Sequence, residues 1–482
     1  MRLGVFTPVF LAQSLAYAAT LHVSSTVTLG QDPPSVNHLN GESFQQDPLV
    51  TFNGYQYAAF YVPDASNTSI RHPSLSRRAL AGAAKNWETF SFTEYNQTDD
   101  DGHNVISIGI SHGDGTVHMG FDQHDNNLTY RASQPGVATN PAEIQWSAEL
   151  FGPVLDYLPG TESLDKSTYF INVTYPRFLS VPSSAQTDGG ADLIMELRVG
   201  RSGLGDDWLY KYTPNKGWAQ IGRYLLGVNN NAYINGLDFD LEGTLMTTWT
   251  YRDYVNDVGQ DVAVQAGPNG PENNHDLNFA YSEDLGETWL NNWKQTIANM
   301  SVQEPIKPVS AGIVMFGIPK YGGILNQEGQ AIDSEGRMHV LNRENTTGTE
   351  QWYHYWRSTT SHWTRTPLPL PPTLQTTNNI TATPTVIGKR GKVVPVPASS
   401  FSGPASILLL LPSNAPNSTA LSILRSTAAG HFRDWEAVWE AESGCGWEPL
   451  YDRYRLAEDG VLSMFLVNGT EVQVVDFDLS GL

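Results

Sequence analysis

Hydrophobic and polar residues alternate along this chain in short runs of period two, and a helical period is nearly absent. Gly, Asn, Asp and Pro separate the runs, as expected of turns. One unit recurs: a glycine-containing turn followed by an apolar strand. Gly54 precedes Tyr55 to Val62, Gly115 precedes Thr116 to Phe121, Gly190 precedes Ala191 to Leu197, and Gly243 precedes Thr244 to Trp249. Gly336 then precedes Arg337 to Leu341, Gly391 precedes Lys392 to Val396, and Gly460 precedes Val461 to Leu466. Seven units of about 66 residues each suit four-stranded blades with long loops. The pattern predicts an all-β chain folded as a seven-bladed β-propeller. The apolar run Ile407 to Leu411 reads as a buried strand.

The widest gap between the repeated glycines holds Ser282, Asp284, Gly286, Thr288 and Trp289 in the order S-x-D-x-G-x-T-W. This is an Asp-box hairpin. Asp284 and Gly286 are expected to make its turn and Trp289 to pack into the blade; the motif is structural and carries no catalysis. The Pro-rich stretch Thr366 to Pro372 reads as an inter-blade loop. No separate linker stands out, so residues 19–482 are read as one domain.

Residues 1–18 read as a secretory signal peptide. Arg2 gives a basic start, Leu3 to Leu15 is mostly apolar, and Ala16, Tyr17 and Ala18 form a small-x-small cleavage site. The run is too short to span a membrane. N-x-S/T sequons begin at Asn67, Asn96, Asn127, Asn172, Asn299, Asn345, Asn379, Asn417 and Asn468, so a secreted, N-glycosylated protein is expected. The single cysteine, Cys445, excludes an intrachain disulfide and a Cys-rich zinc site.

Charge then constrains the partners. Lys and Arg total 28 against 50 Asp and Glu, a net charge of −22, which excludes a nucleic-acid-binding role. The 13 Trp, 21 Tyr and 18 Phe exclude intrinsic disorder. No membrane partner is expected, and a monomer is. An anionic substrate would have to be held by a local cluster, because the global field repels it.

The richest chemistry surrounds a hairpin at Gly113 to Gly115. His118, Gly120, Asp122 and His124 share one strand face by alternation. His103 starts the preceding strand, so the hairpin brings His103 and His124 to the same rim, where surface and catalytic readings are evenly balanced. His112 reads as a loop residue and His118 as a packed strand histidine. Arg198 closes an apolar strand, where an unpaired guanidinium would be costly, so an anionic partner is expected: an internal carboxylate or a substrate. Tyr233 lies among Asn229, Asn231 and Asn235, either as a core tyrosine or as a site donor. With Tyr175, these residues suit abstraction of the C5 proton of a uronate and protonation of the departing O4 oxygen, without a metal. The rim segments show no paired carboxylates of the kind a glycosidase uses.

His103 with Asn104, the Asp-Gly-x-x-His hairpin ending at His124, Tyr175-Pro176-Arg177-Phe178, Arg198 with Arg201 and Gly203, and Tyr233 with Asn235 and Gly236 resemble the BNR-repeat propeller lyases. These include ulvan lyases and fungal L-rhamnose-α-1,4-D-glucuronate lyases acting on gum arabic. His275 with Asp276, Asn326 with Gln327, Asn342 with Arg343, His354 with Arg357, and Glu448 to Asp452 extend the resemblance over nearly the whole chain, and the leader and sequons favour the fungal branch. The resemblance implies that His103 and Tyr175 form the acid/base pair, in an order left open. It implies that His124 and Arg198 neutralise the uronate carboxylate and that Tyr233 is a further site tyrosine. Asn104, Arg201, Asn231 and Asn235 are taken as substrate-binding. The implied substrate is an anionic plant or algal polysaccharide containing glucuronate, with terminal rhamnose as the released sugar. No cofactor is required; a structural divalent cation at His275 and Asp276 stays open, with a purely structural role preferred. A sialidase-like hydrolase and a non-catalytic carbohydrate-binding propeller remain the alternatives. The sequence shows no obvious three-arginine set of the kind the hydrolase would need.

Overall fold

The computed structural model describes residues 20–81, 86–186, 190–201, 205–227, 231–252, 271–348, 351–369, 389–399, 402–415 and 417–482. The expected leader and the sequon at Asn379 fall outside them.

Seven antiparallel sheets stand in a ring, as the repeats predict. Blade 1 is built from Leu49–Phe52, Tyr55–Pro63, Arg71–Ala79 and Glu88–Ser91. Blade 2 has three strands, Ile106–Ile110, Val117–Phe121 and Tyr130–Ala132, extended at its edge by bridges from Tyr130 to Leu155 and from Ser133 to Phe151. Blade 3 runs through Val173–Ser180, Leu193–Val199, Asp206–Thr213 and Gly217–Leu225. Blade 4 has six strands: Ala232–Phe239, Leu245–Arg252, Asn274–Ser282, Thr288–Leu290, Thr296–Asn299 and Val314–Phe316. Gly329–Ile332, Met338–Glu344, Gln351–Arg357 and Trp363–Pro367 make blade 5. Blade 6 comprises Lys392–Val396, Ser406–Pro412, Leu421–Thr427 and Glu436–Ala441. Blade 7 combines Leu450–Tyr451, Leu462–Asn468 and Glu471–Asp478 with the N-terminal strand His22–Gln31, which pairs with Glu471–Asp478 and closes the ring.

The core lies between blades, with one apolar cluster at each junction. Leu179, Ile194 and Leu209 of blade 3 meet Ile234, Leu245 and Trp249 of blade 4. The closing junction packs Leu49, Ala58 and Phe60 of blade 1 against Phe465, Val472 and Val474 of blade 7. Inner strands such as Ile106–Ile110 are wholly buried, whereas the outer strand Trp363–Pro367 is partly exposed. That pattern fits period-two strands buried on both faces near the axis and on fewer sides at the rim.

Six of the repeated glycines precede the second strand of their blade, all with positive φ between 66° and 91°. Gly391 is the exception. It precedes the inner strand of blade 6, where a Cβ would come 2.6 Å from the Leu410 carbonyl oxygen, and it serves close approach rather than a left-handed turn. The run Ile407 to Leu411 lies in a fully buried strand. Thr366 and Pro367 end the outer strand of blade 5, so the expected loop starts only after them; most of it lies outside the described residues.

The Asp box folds as expected. The Asp284 carboxylate accepts the Thr288 NH at 2.8 Å and the Thr288 hydroxyl at 2.7 Å, while Gly286 turns at φ +90°. Trp289 is fully buried and stacks on Tyr224 of blade 3 at 5.0 Å.

The segment from Leu39 to Pro48 is buried throughout and threads the ring. The Ser43 hydroxyl donates to the Gln327 and Glu328 carbonyls ahead of blade 5, and Lys392 of blade 6 donates to the Ser43 carbonyl at 2.9 Å. Asp47 pairs with Arg453, which follows the first strand of blade 7, at 3.0 Å. Phe44 joins Val105, Tyr175 and Tyr233 in a small apolar cluster beside blades 2, 3 and 4.

Candidate active site

His103 and His124 lie just beyond the open end of the blade 2 hairpin, since its strands start at Ile106 and end at Phe121. The shared face expected for His118, Gly120, Asp122 and His124 does not form. Asp122 turns at φ +57° and ends the strand, so alternation never reaches His124. His118 is buried instead, with Nδ1 2.6 Å from the Tyr130 hydroxyl, and His112 stacks on Phe52. The two rim histidines nevertheless meet: their rings stack at 3.8 Å with 19° between planes.

Asp101 holds both rings. One carboxylate oxygen lies 2.5 Å from His103 Nδ1 and the other 2.5 Å from His124 Nδ1. An ionised carboxylate only accepts hydrogen bonds, so both Nδ1 atoms carry protons, and in a neutral His103 ring Nε2 keeps its lone pair. Burial alone would raise the Asp101 pKa, but the two histidine bonds hold it well below the usual carboxylate range. Burial lowers the His103 pKa, and the charges of His124 and Arg198 push the same way against the Asp101 bond. His103 is therefore a neutral imidazole at neutral pH, with its ring about 33% exposed.

Tyr175 enters from the inner strand of blade 3. The pairing slips between Glu196 and Arg198, and Tyr175 sits at φ +60°, a strained conformation for a bulky residue. Pro176 follows it, and Gly120 of blade 2 leaves the room Pro176 needs: a Cβ there would lie 2.8 Å from the proline Cβ. Gly109 does the same for Phe178, at 2.4 Å. These contacts give physical content to the glycines of the hairpin. The Tyr175 ring stands 5.6 Å from His103 and 6.2 Å from Tyr233. Burial, then the neighbouring Tyr233, raises the Tyr175 pKa, while Arg198, Arg252 and Arg390 oppose the shift. The hydroxyl keeps its proton.

Arg198 has the internal carboxylate partner that its burial required. Its Nη2 donates to Asp125 at 3.1 Å and to the Thr174 hydroxyl at 3.0 Å. It is only 1% exposed and lies 5.0 Å from the Tyr175 ring, so in this conformation its charge acts across that ring rather than by open contact. Arg252 lies 4.7 Å over the buried Tyr233 ring and is held by Asn274 and Asn326. Arg390 lies 5.7 Å from the Phe44 ring and pairs with Glu448.

The proposed substrate-binding residues divide. Asn104 is buried beside His103, with its side-chain oxygen unpartnered. Asn231 is buried, and its carbonyl accepts the Arg252 NH at 3.0 Å. The Asn235 amide is engaged with Thr248 and the Glu328 NH, which ties blade 4 to blade 5. Arg201 is exposed beyond the blade 3 strand. Residues 202–204, 228–230 and 253–270, which adjoin Arg201, Asn231 and Arg252, lie outside the described residues.

His275 Nδ1 lies 3.0 Å from Asp276, two residues that could share a cation. Asp101, His103 and His124 are the one group of three potential ligands among the described residues. Asp101 is already engaged by both Nδ1 protons, so the trio reads as a hydrogen-bonded group. Clefts of about 510 Å³ beside Asp240 and Arg357 and about 560 Å³ beside Val396 and Phe477 lie elsewhere. Chemistry, not volume, marks the site.

Sequence reasoning missed Asp101, Asp125, Thr174, Phe44, Arg252 and Arg390 as parts of the cluster. Asp101 had a local signal, because an Asp two residues before a His can cap and orient it. Asp125 and Thr174 adjoin His124 and Tyr175, whereas Phe44, Arg252 and Arg390 come from distant chain positions.

The chain is similar in fold to solved structures of two lyases. One is the polysaccharide lyase Uly1, with 15% identity, TM-score 0.65, and 95% of this chain and 99% of that one covered. The other is a PL25 ulvan lyase bound to -[GlcA(1-4)Rha3S]-, with 12% identity, TM-score 0.57, and 93% and 97% covered. No curated protein matches the chain by sequence. A family model described as BNR repeat-containing family member matches residues 55–369, well over half of the sequence, and the chain belongs to that family.

Proposed function

We propose that this protein is a polysaccharide lyase that cleaves a glycosidic bond to a uronic acid by β-elimination. The observation that carries the reading is the neutral His103, fixed by Asp101 with Nε2 free to accept a proton, beside a Tyr175 that keeps its own. His103 Nε2 takes the C5 proton of the uronate. The C4–O4 bond breaks as the C4–C5 double bond forms, and the Tyr175 hydroxyl protonates the departing O4. His124 and the field of Arg198 and Arg252 stabilise the charge that develops on the substrate carboxylate. No cofactor takes part.

The finer proposal is release of terminal rhamnose from rhamnosyl-α-1,4-glucuronate side chains of arabinogalactan by a secreted, glycosylated enzyme. The likeness to a lyase bound to a glucuronate–rhamnose glycan supports that class, and the sequons and N-terminal pattern support export. Gum arabic, ulvan and other uronate glycans should be screened for new ultraviolet absorbance from a 4,5-unsaturated uronate. Gum arabic is expected to give free rhamnose together with the chromophore. A response to ulvan alone would redirect the finer assignment.

A hydrolase is the second reading, and one observation favours it. Arg198 lies over Tyr175, and Arg252 and Arg390 lie over its neighbours Tyr233 and Phe44, so a three-arginine set not apparent in the sequence exists in space. The His103–His124 pair and the retained Tyr175 proton favour the lyase.

A further inference from the structure

The threading segment, together with the exposed residues just ahead of it, grips the loop that carries the histidines. The Asp100 carboxylate accepts the backbone NH of Val36 at 2.8 Å and of Asn37 at 2.9 Å, and the Asn37 side chain donates to the Asp100 carbonyl at 2.6 Å. Two residues on, Gly102 packs so closely that an added Cβ would lie 3.1 Å from both the Glu42 carboxylate and the His38 carbonyl. Phe44 then stacks on His103 at 5.2 Å, with 15° between planes, and meets Tyr175 edge-on at 5.4 Å.

The far side of the segment is fixed just as firmly. The Ser43 NH donates to Glu448 at 2.5 Å, the Glu448 NH donates to the Gly41 carbonyl at 3.1 Å, and the Tyr61 NH donates to the Asn40 side chain at 2.9 Å. Asp101 sets the direction of the two rings, but nothing in Asp101 itself fixes where its loop stands. Asp101 lies ahead of the strand that starts at Ile106, and a loop outside regular secondary structure is free to shift unless it is held. A displacement of about 1 Å at a reacting group costs on the order of 10²-fold in rate.

We infer that Val36 to Phe44 is a clasp that positions the catalytic loop, with Asp100 and Phe44 as its positioning residues. Asp100 anchors the backbone ahead of Asp101, and Phe44 forms the apolar floor on which His103 rests. Neither needs to touch substrate. The inference rests on the reading that His103 is the base.

The test compares Phe44→Leu, Phe44→Tyr and Asp100→Asn with wild type and His103→Ala in the full chain. The readouts are kcat and KM on the responding uronate glycan, thermal midpoint, and imidazole nitrogen NMR of His103. The charged and titratable groups facing that ring are Asp101, His124, Tyr175 and Arg198. Phe44→Leu and Asp100→Asn are expected to lower kcat about 10–100-fold with little change in KM, and to alter the His103 titration, while the fold is retained. Phe44→Tyr keeps the stacked ring and is expected to restore most of the rate. If His103→Ala is inactive but Phe44→Leu and Asp100→Asn match wild type in kcat and in the His103 titration, the clasp is overturned. If His103→Ala stays active, the base assignment fails, while the NMR comparison still reports whether the clasp holds the ring.

Discussion

Asp101 decides what the two imidazoles can do, because one carboxylate fixes both tautomers. Asp101→Asn would replace one acceptor oxygen with an amide donor and turn one ring's lone pair inward. The expected loss is about 10²-fold or more in kcat. The Asp101 bond also raises the His103 pKa against burial. Activity requires the neutral ring, so kcat/KM falls as pH drops through the His103 pKa, which lies below the ordinary value of about 6.5. Removing Asp101 lowers that pKa further, so in the variant the acid limb moves to lower pH while the plateau falls. A pH–rate profile with an unmoved acid limb would argue against the assignment. His103, His124, Tyr175 and Arg198 stood out through the hairpin and through the resemblance to the BNR-repeat lyases, and the fold brings them together. Asp101 was hidden among Asp99 and Asp100, three like residues whose roles only the folded loop separates. Asp100 grips the N-terminal segment, and Asp101 grips the histidines.

At the level of strands, glycines decide how closely blades approach and where they turn. Six of seven repeat glycines marked second strands because a left-handed turn leaves a sequence signature. Blade 6 breaks the pattern. Its left-handed turn glycine is Gly403, at φ +71°, ahead of Ser406–Pro412, while Gly391 is required by crowding that no sequence spacing reveals. Gly120 links this scale to function. Gly120→Ala would push against Pro176 and displace the strained Tyr175, so turnover should fall at least tenfold while most of the stability remains, as kcat and a thermal melt would show together. Asp284 works differently, because its bonds hold a turn remote from the chemistry. Asp284→Ala should cost about 1–3 kcal/mol in denaturant unfolding and leave kcat unchanged.

For the whole ring, closure and charge set the limits. The strand His22–Gln31 pairs the N-terminus to the last blade and seals a junction that would otherwise expose an edge. Several histidines are buried neutral. His118 is pushed down to about 3 by burial, and burial also lowers His339 and His354, whose rings stack within blade 5. An unfolded histidine takes a proton near pH 6.5, so below that value the unfolded chain binds more protons than the folded one. Their contribution is complete above pH 6.5 and is lost as pH falls, and chemical denaturation at pH 7 and pH 4.5 should show lower stability at the acid end. The net charge of −22 makes the cationic cluster a local device: Arg198, Arg252 and Arg390 gather over the rings of Tyr175, Tyr233 and Phe44 in an acidic protein. The central claim is that this cluster, with His103, performs elimination. Its most direct test is turnover of a responding uronate glycan in isotopically labelled water, with ultraviolet absorbance and product mass read together. The account predicts an unsaturated uronate with no solvent oxygen at the cleaved bond, and no such product from His103→Ala. Sugar released without the chromophore and carrying solvent oxygen would contradict it.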